Sequence, residues 1–459
     1  MRIIRQVFLM MKEEKLFSAI HIAGTAMAIA FTMVMAVVYY IKLAPIYPEV
    51  NRMRTVYFEG MNILGYIDEK LAARTSMPFS GKAMKEWFLT SKNIEYCAPT
   101  TLGNTGRGKI LERSGCFVLK GKDEHIDVIP NYTNADYFKI YQYEFLEGRP
   151  LTKHEVEKKE HVCVISDDLR DKYFGKGQSA VGKMIHTEYY GEVRVVGVIR
   201  GASRLTPDSY TNIIMPYTLE DYNWDNHPYQ GHFGLIVTVK DNKHLQNLVR
   251  ELNELARRLN SSGMINMDCM DHYGIDGITS TKVELTNMLE THPMHMLRQA
   301  CTKEHWGYED TTNWQIIKHF AGILFILLFV PALNLCGIVA GRMERRTAEM
   351  AVRKTFGARR RTLLNQVIAE NLVLTSIGGI IGLIVSWSAI YGMRTEILAL
   401  FFDISLVDST TTVTGEMLFA PLLFVGAFAA VLVLNLLSAL IPAWLSLRKP
   451  IVESMMEKR

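Results

Sequence analysis

Cysteine is scarce in this sequence, with six among 459 residues. The spacing of Cys97, Cys116, Cys163, Cys269, Cys301 and Cys336 fits neither a metal nor a redox motif. A disulfide framework is not defined, and buried free thiols with at most one bridge are expected. Equally missing are a Ser/His/Asp set, a paired-carboxylate arrangement and a zinc-protease motif, so no catalytic residue is assigned. Internal repeats and low-complexity tracts are absent too. Basic and acidic totals nearly cancel, 51 against 47, and the net charge of +4 says little about partners. No nucleic acid is expected among them.

Charge is also missing from long stretches of the chain. Leu16–Ile41 contains no Asp, Glu, Lys or Arg, and Phe320–Ala340, Leu372–Tyr391 and Met417–Ile441 are similarly apolar. Each is long enough to cross a bilayer, which takes about 20 helical residues. The first run exceeds the roughly 7–15 apolar residues of a cleaved signal peptide, so it reads as an anchor. The mean hydropathy is only +0.06 because a polar stretch, residues 42–319, separates the first two runs.

What charge there is lies unevenly. Arg342, Arg345, Arg346, Arg353, Lys354, Arg359, Arg360 and Arg361 crowd the segment between the second and third runs, against three acids up to Glu370. Loops rich in Lys and Arg stay in the cytoplasm. Residues 1–15 and the tail after the fourth run are also basic, whereas residues 392–416 carry Arg394 against Glu396, Asp403, Asp408 and Glu416.

The predicted fold class is therefore a membrane protein with four transmembrane helices. A large mixed α/β extracytoplasmic domain lies between helices one and two. Residues 1–15 form an amphipathic helix on the inner surface, with Ile3, Ile4, Val7, Phe8 and Met11 at helical spacing. Spans follow at 16–41, 320–340, 372–391 and 417–441. The domain occupies 42–319, a cytoplasmic coupling loop 341–371, a short outer loop 392–416 and a cytoplasmic tail 442–459. Both termini are expected inside.

Within the domain, Val162–Ile165, Val193–Ile199, Ile213–Met215 and Leu235–Val239 read as strands. Lys243–Asn260 reads as a helix whose Leu245, Leu248, Val249, Leu252, Leu255, Ala256 and Leu259 form a core-facing stripe. Leu102–Gly121 reads as a loop or hairpin. Gly177-Gln-Ser-Ala-Val-Gly182-Lys183 has the spacing of a phosphate-binding loop, but Met184 stands where Ser or Thr must ligate Mg²⁺, and a helix rather than a strand precedes it. His292, His295, Cys301 and His305 are soft-metal ligand types. They read as part of a polar stalk leading to the second span, and no metal is assigned.

In the inner loop, Met343, Ala348, Ala351, Val352 and Phe356 can share an apolar face while Arg345, Arg346, Glu349 and Arg353 project elsewhere. Gly357 can supply a left-handed C-cap. From Ala358 a second helical pattern runs into the third span. There Gly378 and Gly382 form a small-xxx-small pair that lets helices approach. Pro331 is expected to kink the second span.

Arg345-Arg-Thr-Ala-Glu349-Met-Ala-Val-Arg353-Lys-Thr-Phe-Gly357-Ala358-Arg-Arg, then Glu370 and Gly378-Gly-Ile-Ile-Gly382, resembles the signature of MacB/FtsX-type ABC transporter permeases. So does the end of the last span, Ile441-Pro442-Ala443, with Pro450-Ile-Val-Glu453. Tyr137-Phe138, Phe145-Leu-Glu-Gly148-Arg149, Phe174-Gly175, Val181-Gly182-Lys183 and Val195-Val-Gly197-Val198 resemble the MacB-type periplasmic core. The resemblance covers most of the chain and is weaker over residues 51–133 and 208–314.

The resemblance implies a permease that pairs with a second permease copy, identical or not, and with a cytoplasmic ABC ATPase dimer. ATP and Mg²⁺ would sit on the ATPase and no cofactor on this chain; a periplasmic adaptor and membrane lipids complete the implied partners. It implies a coupling role for Arg345, Arg346, Glu349, Arg353, Lys354, Gly357 and Ala358. The implied function is to carry ATP-driven motion to the periplasmic domain for efflux or extrusion of peptides, drugs or lipid-linked cargo. A lipoprotein-release permease or an FtsX-like regulator of a cell-wall hydrolase is the alternative. A receptor kinase fits poorly because the longest inner segment is too short for a catalytic domain. An anchored extracytoplasmic enzyme fits poorly because it would need one anchor rather than four spans and a recognisable catalytic constellation.

Overall fold

The computed structural model describes residues 15–101, 117–121, 124–220, 229–262, 278–286, 289–301, 313–323, 355–393 and 421–448, with isolated positions elsewhere. Two compact units emerge. One comprises Met1–Tyr40, Thr312–Leu398 and Thr414–Arg459, the other Ile41–Thr311 and Ala399–Val413.

The second unit is mixed α/β, built on three sheets. The largest orders its strands β6 (Glu124–Asp127), β5 (Phe117–Lys120), β10 (Met184–Thr187), β11 (Gly191–Ile199), β9 (Val162–Ser166), β12 (Ile213–Pro216) and β7 (Pro130–Thr133), with β8 (Phe145–Gly148) also pairing β11. Pairs β9–β11 and β7–β12 are parallel and the others antiparallel. A second sheet runs β15 (Leu289–Thr291), β1 (Thr55–Phe58), β13 (Gly234–Val239) and β4 (Ile94–Thr100). The third runs β14 (Ser280–Glu284), β2 (Met61–Ile67) and β3 (Lys70–Met77).

The unbroken apolar runs become strands because both their faces are covered. Strands β9, β12 and β13 are buried at every position. The expected helix is α4 (Asn242–Ser262), and its Leu248, Leu252, Ala256 and Leu259 enter the core on one face. The cysteines described here, Cys97 and Cys163, are buried free thiols.

Two glycines of the family-like motifs have a packing reason. Gly148 at φ +68 would place a Cβ 2.2 Å from the Val196 carbonyl oxygen, and a Cβ on Gly197 would lie 2.4 Å from that of Arg149. Gly148 and Gly197 face each other in the β8–β11 pair, and this close backbone approach excludes any side chain.

Short helices in this unit start from explicit caps. Ser166 accepts from the Leu169 amide to open α3 (Asp167–Phe174), whose first turn carries Asp167 and Asp168. Thr152 opens α2 (Lys153–Glu157) as a capping box with Glu155. Arg149 grips the same carboxylate at 2.6 and 2.9 Å, and the Thr152 amide and hydroxyl donate to it at 2.8 Å.

The helical unit contains α1 (Lys15–Leu43), α6 (Arg360–Gly392), α7 (Pro421–Arg448) and helical residues 313–323. Lys15–Leu43 and Arg361–Gly392 are long and apolar enough to cross a membrane by length and composition. The helical pattern expected from Ala358 begins at Arg360 and runs uninterrupted to Gly392 as α6. Most of residues 1–15, of the second apolar run with Pro331, and of the loop and tail at 394–420 and 449–459 lie outside the described residues.

The bonds from Arg149 and Thr152 lower the Glu155 carboxyl from 4.5 to about 2. A folded-state value below the unfolded one contributes stability above pH 4.5 that is lost as pH falls towards 2. Glu155→Gln is expected to cost about 1–2 kcal/mol near neutrality. It should flatten the acid limb of the stability curve, measured by denaturant unfolding of the detergent-purified chain across pH.

Candidate functional site

The coupling residues expected from sequence are only partly described. Arg345, Arg346, Glu349 and Lys354 lie outside the described residues. Arg353 is helical, as are its neighbours Val352 and Thr355, and the segment ends at Gly357 with φ +88. The Ala358 amide donates to the Arg353 carbonyl oxygen at 3.0 Å, the closing bond of a Schellman-type terminus. Only glycine takes that backbone conformation without a steric cost. Arg359 then starts α6 in extended conformation.

Side chains tie this terminus to α6. Arg353 Nη1 donates to Gln366 Oε1 at 3.0 Å, and Gln366 Nε2 to Glu370 Oε1 at 3.0 Å. Phe356 stands at the turn 88% exposed, beside exposed Val352, Arg353 and Arg359. A large exposed ring with arginines close in sequence is the feature on which the proposed function rests.

The glycine pair of the third span faces α1. A Cβ on Gly378 would sit 2.9 Å from the Ile22 carbonyl oxygen, and one on Gly382 2.6 Å from that of Ala26. Gly379 leaves room for the Phe428 ring of α7. Nearby, Ile29, Met33 and Val431 form a small core with Leu383, Phe424 and Phe428.

The phosphate-loop spacing at Gly177–Lys183 is a turn. Gly177 and Gly182 have positive φ, and the Ser179 hydroxyl and Ala180 amide both donate to Glu147 Oε2, at 2.7 and 3.1 Å. A carboxylate of the protein occupies the donors that a phosphate would need.

The stalk reading of His292 and His295 is corrected by the structure. Both are fully buried in the α/β unit, on α5 (His292–Cys301). The α5 segment packs under β1 and β15, and it meets polar groups from distant parts of the chain. Tyr57 of β1 stacks on His295 with ring centroids 4.4 Å apart, and its hydroxyl lies 3.0 Å from His292 Nδ1. Nε2 of His292 lies 2.9 Å from the Lys42 carbonyl oxygen. His295 Nε2 is 3.4 Å from Asp208 Oδ1, and its Nδ1 is 3.2 Å from Glu290 Oε2 and 3.9 Å from Glu59 Oε1. Arg298 holds the other oxygen of Glu290.

Arg52 completes this cluster, 1% exposed. Its Nε donates to Glu49 Oε2 at 2.9 Å, and Nη1 to the Ile41 and Ala44 carbonyl oxygens at 2.7 and 2.6 Å. The Ser209 hydroxyl donates to the other Glu49 oxygen at 2.6 Å. Ile41 and Lys42 belong to the last turn of α1, whose carbonyls have no helical partner. Arg52 and His292 therefore cap that helix from the domain side of residue 41.

The cluster sorts its charges by environment. Burial, reinforced by Arg52, pulls the His292 imidazole down to about 3, so it is neutral, with Nε2–H donating to Lys42 and Nδ1 accepting from Tyr57. Burial opposes charge on His295 too, but Asp208, Glu290 and Glu59 outweigh it and raise its pKa well above the usual value. Burial raises Glu49 despite Arg52, whereas Asp208 is lowered, its burial outweighed by His295. Sequence reading had singled out the two histidines but none of Glu49, Arg52, Glu59, Asp208 or Glu290. The one local signal is Glu290, His295 and Arg298 flanking a strand-to-helix junction.

Comparison with known proteins gives a consistent picture. The MacB-like periplasmic core domain matches residues 18–255 and the FtsX-like permease C-terminal region residues 321–451. An uncharacterized ABC transporter permease, YvrN of Bacillus subtilis, is 22% identical over 288 residues, covering 62% of each chain. The macrolide export ATP-binding/permease protein MacB of Acinetobacter baylyi is 20% identical over 277 residues, 60% of this chain and 36% of its own. The crystal structure of the periplasmic region of MacB from Actinobacillus actinomycetemcomitans is 14% identical with a TM-score of 0.31, covering 51% of this chain and 90% of its own. The chain thus spans between about a third and three fifths of the curated relatives it matches.

Removing one member of a buried ion pair leaves the other charged and dry. Arg52→Met is expected to destabilise the chain by about 3–5 kcal/mol. Replacing Glu49 by Met as well should recover a large part of that loss, read as the coupling energy of a double-mutant cycle in thermal unfolding.

Proposed function

The chain belongs to the MacB/FtsX-type family of ABC transporter permeases, and from that premise we propose that it transmits motion from a separate cytoplasmic ATPase to its own periplasmic domain. Four spans, inward-facing termini and a bacterial inner-membrane location are part of the reading. ATP with Mg²⁺ would be bound and hydrolysed by a partner ATPase dimer, and a second permease copy would complete the complex. The work would be export. The relatives include proteins named for macrolide export and for pyoverdine export, which supports efflux or extrusion of peptides, drugs or lipid-linked cargo.

The observation that carries the reading is the terminus at Gly357. Exposed Phe356 stands at a helix terminus near Arg353 and Arg359, and Arg353, Gln366 and Glu370 link that terminus to the unbroken α6. In the proposed complex Phe356 enters a hydrophobic recess on the ATPase while Arg353 and Arg359, with Arg345, Arg346, Glu349 and Lys354, set charge complementarity at its rim. A push on the loop then moves a rigid rod rather than a flexible tether.

Motion must also reach the periplasmic domain. The last carbonyls of α1 are held by buried Arg52 and His292, and Tyr57 links His292 to strand β1. Displacement of the α1 end would be passed to the sheet through charged and hydrogen-bonded contacts that resist slipping.

Two measurements test this. In nanodiscs with the partner ATPase, Gly357→Pro, which cannot adopt φ +88, and Phe356→Ala should cut permease-stimulated ATP hydrolysis at least tenfold while the chain still inserts. Wild-type stimulation in both would remove the coupling assignment. Separately, Lys153→Cys, on an exposed helix of the domain, should react with an impermeant maleimide applied outside intact inner membranes, and labelling only after permeabilisation would reverse the topology.

A further inference from the structure

One face of the buried cluster is left unused by the coupling reading, and it has the composition of a metal site. His295 Nδ1 faces Glu290 Oε2 at 3.2 Å and Glu59 Oε1 at 3.9 Å. The three donor atoms lie within 4.8 Å of one another. Bonds of about 2.1 Å to a tetrahedral ion put donors about 3.4 Å apart, so small side-chain rotations close the set. On the opposite edge of the ring, Nε2 meets Asp208 Oδ1 at 3.4 Å. A carboxylate behind a ligating histidine fixes the tautomer that leaves the other nitrogen open to metal.

Charge points the same way. Glu59, Asp208 and Glu290 gather around His295, with Glu49 close by and the guanidiniums of Arg52 and Arg298 among their neighbours. A cation seated among the three carboxylates around His295 is electrostatically favoured. Asp208 is 2% exposed, and its Oδ2 has no hydrogen-bond partner among the described residues. A buried carboxylate with an unsatisfied oxygen requires positive charge close by. The neighbouring set of Glu49, Asp208 and His292 is not such a site. Arg52 and Ser209 take both Glu49 oxygens, and both His292 nitrogens face hydrogen-bond partners.

We propose that Glu59, Glu290 and His295 bind one divalent transition-metal ion of the Zn²⁺ class, with Asp208 as the residue that orients His295. One imidazole nitrogen and two carboxylate oxygens suit borderline ions such as Zn²⁺, Co²⁺ or Mn²⁺ rather than thiophilic ones. Glu59, the partly exposed member, marks the side of entry. The ion joins the end of β1, strand β15 and helix α5.

The test uses the full chain, purified in detergent without a polyhistidine tag. After exposure to Zn²⁺ or Co²⁺ and gel filtration, elemental analysis should find one ion per chain. Co²⁺ should give visible d–d absorption, and Zn²⁺ should raise the unfolding temperature. Glu59→Gln and His295→Ala should each weaken binding at least tenfold, while His154→Ala, an exposed histidine, leaves it unchanged. Because Glu59 is partly exposed, Glu59→Gln decides the matter even where His295→Ala does not fold. Failure of the wild-type chain to retain either ion, or equal retention by Glu59→Gln, would overturn the site. Neither result depends on ATPase stimulation, so the coupling reading stands or falls separately.

Discussion

A guanidinium in a dry environment is the constraint on which the domain's architecture turns. Arg52 is taken out of water at a cost of several kcal/mol, and that cost is tolerable only if every surrounding group is in place. Glu49 must sit against the guanidinium and be held by Ser209. The chain must leave α1 so that the Ile41 and Ala44 carbonyls point back at Arg52. Shift that exit by one residue and the guanidinium loses two of its acceptors. Hydrophobic burial supplies most of the free energy of such a domain, but it is non-directional and would tolerate small slips. The ion pair would not.

The same logic separates what was legible in the sequence from what was not. Short apolar runs became β9, β12 and β13 because a strand covered on both faces is largely apolar. The stripe of α4 was legible because helical period alone decides which residues turn inward. Gly357 was readable because a glycine between two helical patterns has few other uses. All of these are local signals.

The buried cluster is not local. Lys42 and His292 lie 250 residues apart, and Ser209 is 160 from Glu49. Their meeting depends on β15 and β13 lining both edges of β1, a pairing that no window of sequence contains. Glu49, Arg52 and Asp208 each look like ordinary surface charges, the commonest state for such residues. The histidines attracted notice only through their type, and a stalk was the natural reading because the second apolar run follows closely. Burial reversed that reading: polar residues deep in a domain must be partnered, so the cluster is where the fold is least tolerant of substitution.

Polar rigidity also bears on how such a chain could do mechanical work. A helix conveys displacement only as well as its ends are held, because a frayed terminus yields before its load moves. Two of the described helix ends are fixed by directional contacts. The glycine-terminated turn is bonded to α6 through Arg353, Gln366 and Glu370, and the last carbonyls of α1 are capped by Arg52 and His292. Along the helices the contacts are apolar and close, with Gly378 and Gly382 against the backbone of α1, where packing density makes the interface stiff in compression. Loose apolar contacts at the ends with polar ones in the middle would slip at both joints. Among the described residues, directional bonds sit at the helix ends and apolar packing lies along the helices.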